Sequence, residues 1–291
     1  MEKIQEAIAR ARATRTQGLD GLAETPQSVA ATDSATDSVT IAPPSVTPAL
    51  ATADVPVNWA ALATFVPKAA HLQRNRIVAF SSGRDAKPFD VIRTRLLQQM
   101  RKNNWRSVAI TSPGPGCGKT MLCLNLAFSL GRQQDQRTLV IDLDWRRPSM
   151  AKYLGSGQTG NMAKVLDGTA AFADGVLRYG KNLAFASHTG PVRNSAELLQ
   201  SAQTAQVLGA ITAAYDPTVM IFDMPPMQAG DDVMAFASRV DCVLLVAAAE
   251  ETTIKQVDAC ERDLATQTNM LGVILNKCRY MTDEGNYGYY D

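Results

Sequence analysis

From position 107 onward, short apolar runs alternate with stretches whose apolar side chains recur every three or four residues. The runs are Ser107 to Thr111, Thr138 to Leu143, Leu183 to Ser187, Thr218 to Asp223, Asp241 to Ala247 and Met270 to Asn276. Runs this short and this uniformly apolar predict strands buried on both faces of a parallel sheet. Between them, Leu198, Ala202, Ala205, Leu208, Ile211 and Tyr215 fall on one helical face, and Leu124, Leu126, Phe128 and Leu130 mark another helix. The expected fold is α/β, a mostly parallel sheet with helices on both faces. Ligands of such sheets bind at the carboxyl ends of the strands.

The first sixty residues read differently. Ile4, Ile8 and Ala11 recur at helical spacing beside Arg10, Arg12 and Arg15, which predicts a short amphipathic helix over 1–18. It suits an exposed surface, or docking to a partner or an anionic membrane. Residues 21–57 contain no Lys or Arg, and Ala31-Thr32-Asp33-Ser34 is repeated as Ala35-Thr36-Asp37-Ser38. So few large apolar groups cannot offset the ordering entropy, so a disordered linker is expected over 19–60. A globular domain over 61–280 and a tail over 281–291 complete the division.

Composition narrows the function. The 29 basic and 28 acidic residues leave a net charge of +1, which argues against a nucleic-acid partner. Two histidines, His71 and His188, are too few for a multi-His metal site. The five cysteines form no C-x-x-C pair, and their odd number suits a reducing, cytoplasmic compartment. No run of 18 apolar residues is present to span a bilayer.

Three strand-end motifs carry the chemistry. Thr111-Ser112-Pro113-Gly114-Pro115-Gly116-Cys117-Gly118-Lys119-Thr120 follows a strand and opens a helix, the context of a phosphate-binding P-loop. Its glycines let backbone N–H groups wrap a phosphate at a helix N-terminus. Gly114, Gly116, Cys117, Gly118 and Met121 belong to this nucleotide-binding set, with Lys119 on the β- and γ-phosphates and Thr120 on Mg²⁺. Pro113 stands where the first glycine of G-x-x-x-x-G-K-[ST] is usual. Lys119 reads as a loop charge outside the core, and Cys117 as a small filler rather than a redox switch. The second motif, Asp142-Leu143-Asp144-Trp145-Arg146, puts two carboxylates at the next strand end, suited to Mg²⁺ coordination and proton acceptance. The third, Asp223-Met224-Pro225-Pro226, ends an apolar run in one acid, suited to holding Mg²⁺ through water.

In this order the three motifs resemble the bacterial tyrosine kinase (BY-kinase) family, in the soluble CpsD/CapB-like type related to MinD and ParA. Asn194-Ser195-Ala196-Glu197-Leu198-Leu199 and Leu275-Asn276-Lys277 add to the likeness, which covers roughly residues 75–291. The resemblance implies a P-loop NTPase fold, ATP and Mg²⁺ as cofactors, Asn276 at the nucleotide, and Lys119, Asp142, Asp144 and Asp223 as catalytic residues. Thr120, Asp142 and Asp223 would attend the metal. It also implies a membrane polysaccharide copolymerase-type activator, a tyrosine phosphatase and a second copy of the chain as partners. The expected place is the cytoplasm, peripheral to the inner membrane, in exopolysaccharide or capsule synthesis and export. The family's E-x-x-R-x-x-R assembly helix reads Lys87, Asp90 and Arg93 here, with altered charges.

The tail is the fourth signal. Three of seven tyrosines, Tyr287, Tyr289 and Tyr290, fall within the last five residues, among glycine and acids. The resemblance makes them phospho-acceptors. The competing reading is a MinD/ParA-like ATP-dependent dimerisation switch, which normally carries a lysine where this loop has Gly114 and lacks a tyrosine-rich tail.

Overall fold

A computed structural model describes residues 57–157 and 160–278. The strands are β1 (Ala63–Thr64), β2 (Ser107–Thr111), β3 (Thr138–Asp142), β4 (Val176–Tyr179), β5 (Leu183–Ala186), β6 (Val219–Asp223), β7 (Cys242–Ala248) and β8 (Asn269–Asn276). They form one sheet in the order β1-β4-β5-β3-β6-β2-β7-β8. From β5 to β8 every pairing is parallel, and β4 runs antiparallel to β5. All six strands expected from the apolar runs are present within a residue or so of their predicted ends.

Period-two alternation divides the core into two layers. Val108 and Ile110 of β2, Val140 of β3 and Ile221 of β6 face one hydrophobic cluster. Ala109, Leu139, Ile141, Met220 and Phe222 face the other. The first is covered by the helices α2 (Ala69–Arg74), α3 (Lys87–Asn103), α4 (Lys119–Gly131) and α5 (Met150–Leu154). The second is covered by α1 (Val57–Ala61), α6 (Met162–Leu166), α7 (Ser195–Gln200), α8 (Ala202–Tyr215), α9 (Asp232–Ala237) and α10 (Ile254–Ala265). Each large side chain so buried contributes about 1.5–3 kcal/mol.

Three features depart from the expectations. The folded part starts before residue 61: Val57–Ala61 is helical, Trp59 is fully buried, and its Nε1–H donates to the Lys181 carbonyl at 2.8 Å. A tryptophan can bury about 200 Å² against the core, so it draws its short neighbours in with it. The helix expected across Leu198 to Tyr215 is broken at Ser201, whose hydroxyl accepts from the Thr204 N–H and caps α8. Arg239 fixes the break by donating to the Leu199 and Ser201 carbonyls. Strand β4 was not expected; it forms a hairpin with β5 around Gly180, whose positive φ of 61° suits the turn.

Helix α4 lies between the sheet and α3, and eleven of its thirteen residues are buried, which accounts for its lack of a polar face. Its one buried amide, Asn125, is fully used. Oδ1 accepts from the Val78 and Ala79 N–H groups, and Nδ2 donates to the Arg76 and Met121 carbonyls. Asp90 and Arg93, two positions of the altered assembly motif, pair with each other and with Ser129 and Arg132 of this chain.

Candidate functional site at the carboxyl ends of the central strands

Register brings the three motifs together. Asp142 ends β3 directly opposite Asp223 at the end of β6, and Asp223 in turn pairs with Ile110 of β2. The loops beyond are tied by main-chain bonds. The Leu143 N–H donates to the Asp223 carbonyl, the Met224 N–H to Ile110, and the Met227 and Gln228 N–H groups to Ser112 and Pro113. The Thr111 hydroxyl donates to the Pro225 carbonyl at 2.7 Å. The loop after β2 is thereby fastened to the loop after β6.

The 112–118 loop leads into α4 with Gly116 and Gly118 at positive φ, 79° and 89°. A side chain on Gly118 would collide with the amide of Asn276, which donates to the Cys117 carbonyl at 2.8 Å. Asn276, at the end of β8, thus sits against the turn that opens the helix. Cys117 is buried, its Sγ 3.3 Å from the Gly114 carbonyl, a packing position. The Pro113 departure is accommodated, since its carbonyl accepts the Gln228 N–H.

Lys119 is not the loop charge expected from sequence. It is the first residue of α4, only 7% exposed, with Nζ 3.8 Å from Asp144 Oδ2. The reason is topological: the helix starts inside the sheet's carboxyl edge, so its first side chain points among strand-end acids. Asp142 is fully buried, accepts the Asp144 N–H on Oδ1 at 3.2 Å, and has no partner on Oδ2. Neither oxygen of buried Asp223 has a donor in hydrogen-bond geometry, although the Thr120 hydroxyl lies near enough to favour its charged form. Burial, then the charges of Asp223 and Asp144, hold the Asp142 carboxyl well above the usual range. Burial likewise raises Asp223 to about 7 against the pull of Lys119, and raises Asp144 against the same lysine.

A cavity of about 650 Å³ opens over Gly116, Lys119, Thr120 and Asp144. Met121, Arg146, Arg147, Ser149 and Gln228 also line it. Of these, Arg146 matters for architecture: Nε donates to the buried Asp232 at 2.6 Å, and its guanidinium fills the space a side chain on Gly230 would need. Asp232 and Gln228 were not singled out from sequence. No local signal marks them, since an acid at a helix start is ordinarily explained by the helix dipole alone.

The structure therefore gathers Gly114, Gly116, Cys117, Gly118, Lys119, Thr120, Met121, Asp142, Asp144, Asp223 and Asn276 around one strand-end site. Tyr287, Tyr289 and Tyr290 lie outside the described residues, as do the helix expected over 1–18 and the linker up to 56. No described helix is long and apolar enough to cross a membrane. Among the described residues, no three His, Cys, Asp or Glu converge on a metal site of their own. A cation here would need oxygens from Thr120 and from a bound phosphate, and the orphaned oxygens of Asp142 and Asp223 fit one carrying its own waters.

Comparison with known proteins gives a consistent picture. The profile of the CobQ/CobB/MinD/ParA nucleotide-binding domain matches residues 108–286. The tyrosine-protein kinase YwqD of Bacillus subtilis is 29% identical over 227 residues, 77% of this chain and 94% of YwqD. The tyrosine-protein kinase wzc of Salmonella typhimurium is 29% identical over 207 residues, which span 69% of this chain but 28% of that protein. Among solved structures, the VpsO kinase domain is 32% identical, with a TM-score of 0.59 over 67% of this chain and 96% of that domain.

Proposed function

Because the chain belongs to the CobQ/CobB/MinD/ParA nucleotide-binding family, with tyrosine kinases among its relatives, we propose that it is a Mg²⁺-ATP-dependent protein-tyrosine kinase whose substrate is its own C-terminal cluster. The observation that carries this reading is the facing pair of buried strand-end carboxylates, Asp142 and Asp223, whose oxygens are left largely without donors where Lys119 opens α4 at the P-loop. Carboxylates next to a polyphosphate repel it unless a cation or a transferable proton stands between them. Thr120 would hold Mg²⁺ directly, with Asp142 and Asp223 through its water, and the ion supplies neutralisation of phosphate charge. The loop N–H groups and the α4 N-terminus hold the phosphates.

Lys119 leaves Asp144 to meet the γ-phosphate as charge moves onto the leaving oxygen. Asp142 or Asp144 accepts the phenol proton on a carboxylate oxygen. Their raised pKa values bring them closer to the operating pH, which favours such transfer. The acceptors are Tyr287, Tyr289 and Tyr290. The thirteen residues from Asn276 to Tyr289 reach at most about 45 Å, enough to enter a neighbouring copy's cavity.

The activator would be a membrane polysaccharide copolymerase-type protein and a tyrosine phosphatase would reverse the reaction. The chain would act in the cytoplasm, peripheral to the inner membrane, in exopolysaccharide or capsule production. The test mixes Lys119→Met chains with active chains lacking 285–291. Phosphate on Tyr287, Tyr289 or Tyr290 of the Lys119→Met chain is expected by mass spectrometry. ATP-dependent dimerisation with no phosphotyrosine, activator present, would establish the switch instead.

A further inference from the structure

The second motif carries a residue with no role so far. Trp145 is completely buried. Its Nε1–H donates to the main-chain carbonyl of Asp142 at 3.0 Å. Its ring lies against the imidazole of His188, with centroids 5.4 Å apart and planes at 40°. His188 is itself buried, and its Nε2 is 2.8 Å from the Gly190 carbonyl. That bond assigns the proton to Nε2 and leaves Nδ1 without a partner. The imidazole is thus anchored by the loop after β5 and serves as a fixed wall for the indole.

The segment this pair braces is short and self-tied. Strand β3 ends at Asp142, so the spacing of the two acids is set by a turn and not by strand alternation. Within that turn the Asp144 N–H donates to Asp142 Oδ1, and the Arg147 N–H donates to Asp144 Oδ1, each at 3.2 Å. The Leu143 N–H fastens the turn to the Asp223 carbonyl on the next strand. The indole N–H closes the turn from below. No other apolar side chain could fill this volume and also supply a donor to the Asp142 carbonyl.

We propose that Trp145 is a positioning residue, its indole N–H and the His188 wall holding the 142–147 turn so that the Asp142 and Asp144 carboxylates stay aimed at the cation and phosphate position. It acts through Asp142 and touches no ligand. The inference rests on the nucleotide-site reading above, but not on tyrosine being the acceptor.

The test measures ATP binding by calorimetry in EDTA and in Mg²⁺ for the full chain and for W145F, which keeps an aromatic ring and removes the donor. A second variant places benzothienylalanine at 145, swapping N–H for sulfur at nearly constant shape, so that a failure of W145F to fold cannot decide the matter. The expected result is that Mg²⁺ tightens ATP binding about tenfold less in both variants, the lower end of what outer-shell partners of metal ligands contribute. Binding in EDTA should stay near wild type, while Tm falls by a few degrees in both variants because the buried Asp142 carbonyl loses its donor. An undiminished Mg²⁺ effect in the benzothienylalanine chain overturns the proposal. So does an equal loss of affinity in EDTA and Mg²⁺, which would make Trp145 a support of the fold. Wild type that binds Mg²⁺-ATP but transfers nothing to tyrosine counts against the kinase reading alone.

Discussion

The two ends of the central strands treat their acids in opposite ways. At the amino ends, Asp241 Oδ2 accepts from the Arg106 N–H, the Ser107 N–H and the Ser107 hydroxyl, at 2.8, 2.8 and 2.7 Å. At the carboxyl ends, Asp223 is more deeply buried, and neither oxygen has a donor in hydrogen-bond geometry, only the Thr120 hydroxyl lying near it. Both acids flank strands of the same sheet beside apolar runs, and they differ in more than burial. Satisfaction separates them. A carboxylate surrounded by donors is there for the fold. One kept without donors is held for something that arrives later, and its raised pKa records what the fold gives up to keep it.

The largest expected break in this contrast is Lys119→Met. Phosphotransfer should fall by at least about 10²–10³-fold, the scale of losing one preorganised charge or donor at a reacting phosphate or oxyanion. Because Lys119 is buried against Asp144, the variant should also lose stability, by about 1–3 kcal/mol for a buried group left unpaired. Kinase assays and denaturant titration check both halves; unchanged stability would restore the surface-charge reading.

Next in size, Asp223→Asn should lower phosphotransfer about 10–100-fold, as for groups that orient a bound metal, while making the metal-free protein more stable. A Tm gain of roughly 2–4 °C in EDTA corresponds to about 1 kcal/mol in a domain of this length. Asp241→Ala is the mirror experiment. It should cost about 1–3 kcal/mol for three stranded donors and leave ATP affinity unchanged by calorimetry. If both variants shift stability in the same direction, the contrast between the ends fails.

The smallest effect is on pH. Asp223 titrates at about 7 in the folded chain, above the usual unfolded value near 3.9. The folded state therefore binds more protons between these values. Its contribution to stability is present below the unfolded value and lost as pH rises through about 7. Melting curves without Mg²⁺ should drop across about pH 4–7 relative to those of Asp223→Asn and level off above, and the difference should close when Mg²⁺-ATP is added.

Sequence reading reached the central sheet because its strands are apolar on both faces, a pattern that survives without knowledge of neighbours. It missed β4, where Val176, Leu177, Arg178 and Tyr179 mix apolar and charged positions and the strand depends on its hairpin with β5. Lys119, Asp142, Asp144 and Asp223 were legible because each stands beside a strand end with recognisable spacing. The burial of Lys119 was not, since it follows from where α4 begins inside the sheet. The grip of Asp232 on Arg146 joins residues 86 positions apart and has no local pattern at all.

Among the described residues the sheet has one short edge and one long one. On the far side β1 is two residues long, too short to template another strand. On the other, β8 runs eight residues without a charge or a proline, with Val273 and Leu275 exposed. Its last residue is Asn276, which grips the P-loop turn. Among the described residues, β8 is the edge strand long enough to template a further strand. A strand added there would run beside Asn276, so extending the sheet and shaping the nucleotide loop would share one residue.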